Sequence, residues 1–374
     1  MIKPCKILIT VVILMMAFTP LKAEGLTHDL NQGVDSISHW EQGFNLYLLR
    51  NEDPNLQAYG LYYLSSFGLH GQSDLNDSIL SEYKKVMAAL LEDNSLDAQS
   101  MFLLLTTCYN GKTVEDCDYL KVSENLMQFH SDNMASFLFA LNQAQLNEVE
   151  GEVISLVRNV ANATFVDEYL HVSEAYAMAL SEYVEKQPLP ESAFKYETDL
   201  FLGKESLTAT ELQSLQARLG EYHLFMYKNM VNLQLPIPAF KALIDTCKGY
   251  PELYDDCMSI SEVFIQSGHW IPEMLGHRIQ INLFEISGNS KAHELAVARK
   301  SQLKETINCL VNASRMPSLF KLDLEHAYQR MQVTQEKGER AGMYHYAKLK
   351  YQEAAEQGDP YAESLNPDLC VVEE

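Results

Sequence analysis

The chain has 374 residues, of which 47% are hydrophobic, 10% aromatic and 21% charged, a globular composition unlike that of a disordered or collagen-like chain. Its 28 basic residues face 51 acidic ones, a formal charge of −23, which argues against a phosphate-binding surface and against a nucleic-acid partner. No segment reaches the roughly 18 consecutive apolar residues of a membrane span.

Lys3 and Lys6 precede an apolar stretch from Ile7 to Phe18, and Pro20-Leu21-Lys22-Ala23 ends on a small residue before Glu24. This is the layout of a cleavable export signal over residues 1–23. Cleavage leaves 374 − 23 = 351 residues, and loss of three lysines takes the charge to −26. The expected location is the periplasm or the extracellular space. Cys5 lies ahead of the apolar stretch, whereas the anchor cysteine of a bacterial lipoprotein lies just after it. The triplets at Asn76, Asn162 and Asn312 fit the glycan acceptor pattern, which matters only in a eukaryotic source.

Beyond the signal, apolar residues recur at helical spacing almost throughout. Asp53-Pro54 marks a helix start, and Tyr59, Tyr62, Tyr63 and Phe67 share the helix that follows. Val149, Val153, Leu156, Val157 and Val160 form one apolar stripe; Leu212, Leu215, Leu219, Tyr222, Phe225 and Met226 form another, introduced by the capping box Thr208-Ala209-Thr210-Glu211. No pair of alternating runs is joined by a hairpin turn. The prediction is all-α: more than a dozen helices of about 12 to 24 residues joined by short polar turns. Prolines gather at Gln187-Pro188-Leu189-Pro190 and at Leu235-Pro236-Ile237-Pro238. The first of these sites divides the mature chain into halves of residues 24–187 and 188–374.

The mature chain keeps Cys108, Cys117, Cys247, Cys257, Cys309 and Cys370, an even count in an exported protein. Fifteen pairings are possible. Sequence separation favours Cys108 with Cys117 and Cys247 with Cys257, each closing a loop between two helical stretches. Each closure contributes about 2.7 kcal/mol by chain entropy. Cys309 and Cys370 then pair by exclusion and fasten the C-terminal tail. The spacings are too long for a Cys-x-x-Cys redox motif or a zinc knuckle. The two short pairs also relate the halves. Thr107-Cys108 and Asp116-Cys117 are echoed by Thr246-Cys247 and Asp256-Cys257, first cysteines 247 − 108 = 139 positions apart. Ser123-Glu124 and Ser261-Glu262 follow, then the polar breaks Asn147-Glu148 and Ser287-Gly288-Asn289. This reads as a duplicated, stapled helical hairpin.

Asp93-Asn94-Ser95-Leu96-Asp97-Ala98 and Ser131-Asp132-Asn133-Met134-Ala135 each introduce a helix, about one helix pair apart. Here the chain resembles tetratricopeptide-type repeats, with a polar turn leading into a helix that carries a small residue at the crossing. Ala347 and the run from Tyr351 through Ala354-Ala355, Gly358-Asp359-Pro360 and Ala362 resemble the Ala-Ala-x-x-Gly-x-x-x-Ala core of Sel1-like repeats. Upstream, where that family has a Gly-rich loop, this chain has Glu339-Arg340-Ala341-Gly342-Met343. These resemblances imply an α-solenoid of stacked helix pairs that holds protein partners.

Motifs for chemistry are wanting. Gly111-Lys112-Thr113 lacks the leading glycine of a phosphate loop, since position 106 is Thr106. Gly71-Gln72-Ser73-Asp74-Leu75 lacks the final glycine of a nucleophile elbow. His269, Trp270, Glu273 and His277 fall close together, but the two imidazoles would lie about 12 Å apart along a helix, too far to share a metal; packing and surface roles are expected. Tyr344, Tyr346 and Tyr351 share a late helix, where packing again competes with the lining of a groove. The sequence offers no catalytic, cofactor-binding or metal-ligand set. The reading is a non-enzymatic scaffold for a protein or peptide, with an acidic groove favouring a basic partner. The alternative is a secreted all-α hydrolase of glycosidase or lyase type, its carboxylates hidden among the many; having only Trp40 and Trp270 to stack a sugar disfavours it.

Overall fold

The computed structural model describes residues 26–65, 77–110, 117–169, 172–188, 235–314, 324–360 and 362–370. Among these residues are fourteen α-helices and no strand; one isolated parallel bridge joins Asn133 to Phe165. The helices are α1 Leu26–Leu49, α2 Pro54–Tyr63, α3 Asp77–Leu90, α4 Ala98–Asn110, α5 Tyr119–Phe129, α6 Leu138–Leu146, α7 Glu150–Asn162 and α8 Glu174–Lys186, then α9 Phe240–Gly249, α10 Tyr254–Gln266, α11 Trp270–Ile286, α12 Ser290–Ala313, α13 Leu324–Lys337 and α14 Glu339–Glu356. No described helix is long and apolar enough to cross a membrane. The export signal, Phe67, the Gly71–Leu75 and Gly111–Thr113 stretches, the capping box at Thr208 and the stripe from Leu212 to Met226 lie outside the described residues.

The chain divides into two compact units, residues 1–43 with 184–220, and residues 44–183 with 221–374. In the first, the Trp40 indole N–H donates to the Gln187 carbonyl at 2.8 Å.

In the second unit the local rules are visible residue by residue. Asp53 accepts from the Asn55 N–H and Pro54 occupies the first turn of α2, where a missing N–H costs nothing. Val153, Leu156, Val157 and Val160 form the buried stripe of α7, the three-and-four spacing that turns one face inward. Val149, also expected in that stripe, lies one residue before the helix and is exposed. Tyr59, Tyr62 and Tyr63 are buried in α2. Tyr59 packs against Tyr176 with ring centroids 4.8 Å apart, so these aromatics are core, and no groove is lined by them.

The six cysteines among the described residues lie in three pairs at disulfide distance: Cys108 with Cys117, Cys247 with Cys257 and Cys309 with Cys370, Cα atoms 5.4, 5.7 and 5.4 Å apart. The first ties the end of α4 to the approach of α5, the second ties α9 to α10, and the third holds the tail to α12.

Packing follows chain order. α4 lies on α2 and α5, and α6 on α7; then α6 packs on α9 and α7 on α10, so one helix pair rests on the next in matching order. α10 packs on α11, α11 on α12, α12 on α14 and α14 on α13. One apolar core runs from Leu49 to Leu283, and a smaller one joins Leu310, Ala313, Met343, Ala347 and Cys370.

The turns that close α6 and α11 are the same. After α6 the Glu148 N–H donates to Gln145 O at 3.1 Å and Val149 N–H to Ala144 O at 3.0 Å; after α11 Gly288 N–H donates to Glu285 O at 3.2 Å and Asn289 N–H to Phe284 O at 3.0 Å. Both turns place a left-handed residue, Glu148 at φ 58° and Gly288 at φ 68°, where the helix-ending motif needs one. Each pair of positions differs by 140 (288 − 148 and 289 − 149), as do the starts of α7 and α12 (290 − 150) and the second cysteines (257 − 117). Thr107 and Thr246 are both buried and both return their hydroxyls to the backbone four residues earlier. Near the C-terminus, Glu339 to Met343 lies inside α14 and forms no loop, whereas Gly358, at φ 67°, closes that helix.

Candidate functional site

Among the described residues of the second unit, a cluster of polar side chains forms where three segments meet. The first is the strap that follows α7. Asn133 clamps it from both sides: its side-chain amide donates to Asp167 O at 3.1 Å and its carbonyl oxygen accepts from the Asp167 N–H at 3.0 Å. Met134 N–H donates to Phe165 O at 2.9 Å, and the Tyr169 hydroxyl meets Ser136 Oγ at 3.0 Å. Between these pinned neighbours Glu168 is driven inward, with 3% of its side chain exposed.

The other two segments are the starts of α11 and α14. Gly268 (φ 75°) and Gly338 (φ 87°) precede them. The two glycine backbones lie against each other, leaving no room for a Cβ between them, which only glycine tolerates at these dihedrals. Arg340 N–H reaches Gly268 O at 3.4 Å. The close approach sets the helix starts side by side, and the Trp270 N–H at the open end of α11 donates to Glu339 Oε2 at 2.9 Å, an acid where the helix dipole favours one. One turn on, Glu273 is 2% exposed and its Oε1 lies 3.5 Å from Arg340 Nη2. His269 Nδ1 lies 3.5 Å from Glu168 Oε2.

Three carboxylates therefore share a junction with one guanidinium and one imidazole. Burial pushes Glu168 up to about 8, and Glu339 and Asp167 add to the shift. Glu273 is also raised, first by burial; Arg340 opposes this and Glu339 reinforces it. Half of the Arg340 side chain is in solvent, which weakens its opposing pull. Glu168 thus keeps its proton at neutral pH, and its contact with His269 joins a neutral acid to an imidazole. A carboxylic acid held neutral beside a second carboxylate is the pairing general acid and base chemistry uses. Both acids are nevertheless closed off by their own packing. The arrangement brings the strap, α11 and α14 together around two buried carboxyl groups held near His269 and Arg340, while the Oε1 atoms of Glu168 and Glu273 have no hydrogen-bond partner among the described residues.

Sequence reasoning singled out His269, Trp270, Glu273 and His277, and the structure separates them. His269 and Glu273 enter the junction; His277, two turns along α11, is buried and faces α12, where Arg299 and Lys300 add to burial in holding it below its ordinary value. None of the described histidines, cysteines and acids forms a group of three that would hold a metal. Glu168, Glu339 and Arg340 carried no signal, being three among 51 acids and 28 bases with partners about 70 to 170 positions away.

A second feature, also missed, is an aromatic trio from three helices. Tyr109 of α4, Tyr119 of α5 and Phe139 of α6 meet edge to face, centroids 5.1 to 6.0 Å apart, beside the Cys108–Cys117 pair. Tyr109 is 47% exposed. Tyr344 and Tyr351 instead bind the tail, their hydroxyls meeting Asp368 and Glu363.

No protein-family model, curated protein or solved structure is similar to this chain.

Proposed function

We propose that the protein is an exported, non-enzymatic helical-repeat scaffold that holds a protein or peptide partner in the periplasm or extracellular space. The observation that carries this reading is the stacking of α6 on α9 and α7 on α10, with the same helix-closing hydrogen bonds recurring 140 residues apart. We read that recurrence as a duplication of a stapled hairpin, the tetratricopeptide-like unit that the sequence suggests. Units that rest on their chain neighbours spend their buried faces on stacking and leave long outer faces for a partner. The Tyr109, Tyr119 and Phe139 trio supplies amphipathic contact area on such a face. A charge of −23 favours a basic partner and a salt-sensitive association. The test is capture of partners from the native compartment by the intact, oxidised protein at low and high salt, with Tyr109→Ala in parallel. A basic protein or peptide recovered at low salt, and reduced in the variant, is expected; recovery of no partner at either salt defeats the reading.

One observation favours a second reading, a hydrolase: two buried acids, Glu168 and Glu273, each raised by burial and by the charge of Glu339. Under it, Glu168→Gln and Glu273→Gln would each abolish a glycan-cleaving activity of the parent protein. Under the scaffold reading the parent shows no such turnover.

A further inference from the structure

Among the described residues of this acidic chain, one group of cations forms no ion pair with a carboxylate. α11 and α12 pack on each other across the tight turn at Gly288. His277 precedes that glycine by eleven residues and Arg299 follows it by eleven, so the two helices bring these middle turns together. The charges register one another there: Lys300 is held down by partial burial and by Arg278, and His277 by burial, Arg299 and Lys300. None of Arg278, Arg299 and Lys300 forms an ion pair with a described carboxylate. None has Asp or Glu three or four positions away on its own helix, where a supporting pair would be placed. His277 is 7% exposed, and its Nδ1 is buried with no hydrogen-bond partner.

The packing of the hairpin does not demand these cations. Subtracting 140 from 277, 278, 299 and 300 gives Phe137, Leu138, Asn159 and Val160 in the equivalent pair of the first half. Lys300, half-buried, stands where that pair has the fully buried Val160. Mutual repulsion is a cost that an anion would offset. Two guanidiniums offer paired donors that match a tetrahedral oxyanion, and an ammonium adds a point charge.

We propose that the middle of the α11–α12 hairpin binds an oxyanion of the phosphate class, phosphate itself or a phosphomonoester, through Arg278, Arg299 and Lys300, with His277 as a fourth donor. The site is local and runs against the overall charge, so it does not depend on the scaffold reading. The test is calorimetric titration of the full-length protein with inorganic phosphate at constant ionic strength, repeated with glycerophosphate and with vesicles containing phosphatidic acid. The parent is expected to bind phosphate saturably, the double variant Arg299→Gln/Lys300→Gln to lose affinity by about tenfold or more, and Lys84→Gln, exposed on α3, to match the parent. Without phosphate the double variant should melt at or above the parent temperature, because repulsion is relieved, which separates loss of the site from loss of the fold. Binding of the vesicles as well as phosphate would identify a lipid headgroup as one source of the ligand. No saturable phosphate binding, an equal loss in Lys84→Gln, or binding to vesicles alone would overturn the proposal.

Discussion

Glu168 illustrates how a single side chain acquires a property that its sequence neighbourhood does not announce. Asn133, 35 positions earlier, clamps the strap, and the clamp forces a carboxyl group into the junction of α11 and α14. There it is held at about 8 against an ordinary 4.5. Between those two pH values the unfolded chain has released a proton that the folded chain retains, so the slope of stability with pH is negative. Stability from this group is therefore full below the unfolded value and declines toward pH 8, by up to about 1.4 kcal/mol per pH unit. Glu168→Gln keeps the shape and removes the titration. Melting curves from pH 5 to pH 8 should show the variant near the parent at pH 5 and above it at pH 8. Parallel pH profiles would show that Glu168 ionises freely in the folded protein.

At the scale of elements, close helix approach explains positions that hydrophobic patterning leaves blank. Gly276 on α11 faces α10, where a Cβ would lie 2.7 Å from Ser261 O and 2.9 Å from the Phe264 and Ile265 side chains. Gly276→Ala must push the two helices apart and should cost about 1 to 3 kcal/mol, by overpacking, despite alanine's better helix propensity. Chemical denaturation checks this, and a neutral or stabilising result would mean that the contact yields. Existence and type of element were legible because local rules suffice for them: the stripe of α7, the Asp53-Pro54 start of α2 and the cysteines bracketing one turn each depend on residues within a few positions. Val149 shows the limit, since its spacing fits the stripe while the turn after α6 claims its backbone. Of the junction only His269, Trp270 and Glu273 stood out in the sequence; Glu168, Glu339, Arg340 and the aromatic trio were not legible. The junction and the trio each take residues from three segments, and the information that unites them is the packing order of the helices.

The whole second unit combines two levels of fastening, and they should fail separately. The short pairs have sequence separations of 9 and 10, each bridging from one helix to the next or its approach, while Cys309–Cys370 spans a sequence separation of 61. Chain entropy assigns the long closure about 4 kcal/mol against about 2.7 kcal/mol for a short one. Yet the long pair sits in a small core with Leu310, Ala313, Met343 and Ala347, whereas Cys108, Cys247 and Cys257 belong to the main one. In a chain whose helices rest mainly on their neighbours, loss of the long pair should loosen its own end and stop where the main core begins, near α11. Cys309→Ser/Cys370→Ser is therefore expected to lose hydrogen-exchange protection in α12, α14 and the tail while α4 to α7 stay protected. Cys247→Ser/Cys257→Ser, although it opens the smaller loop, should reduce protection in both α6–α7 and α9–α10, because those pairs lie on one another. Hydrogen exchange read by mass spectrometry on both variants decides it: uniform loss in the first would mean that the unit unfolds as one cooperative block, and the neighbour-by-neighbour stacking behind the scaffold reading would lose its energetic meaning.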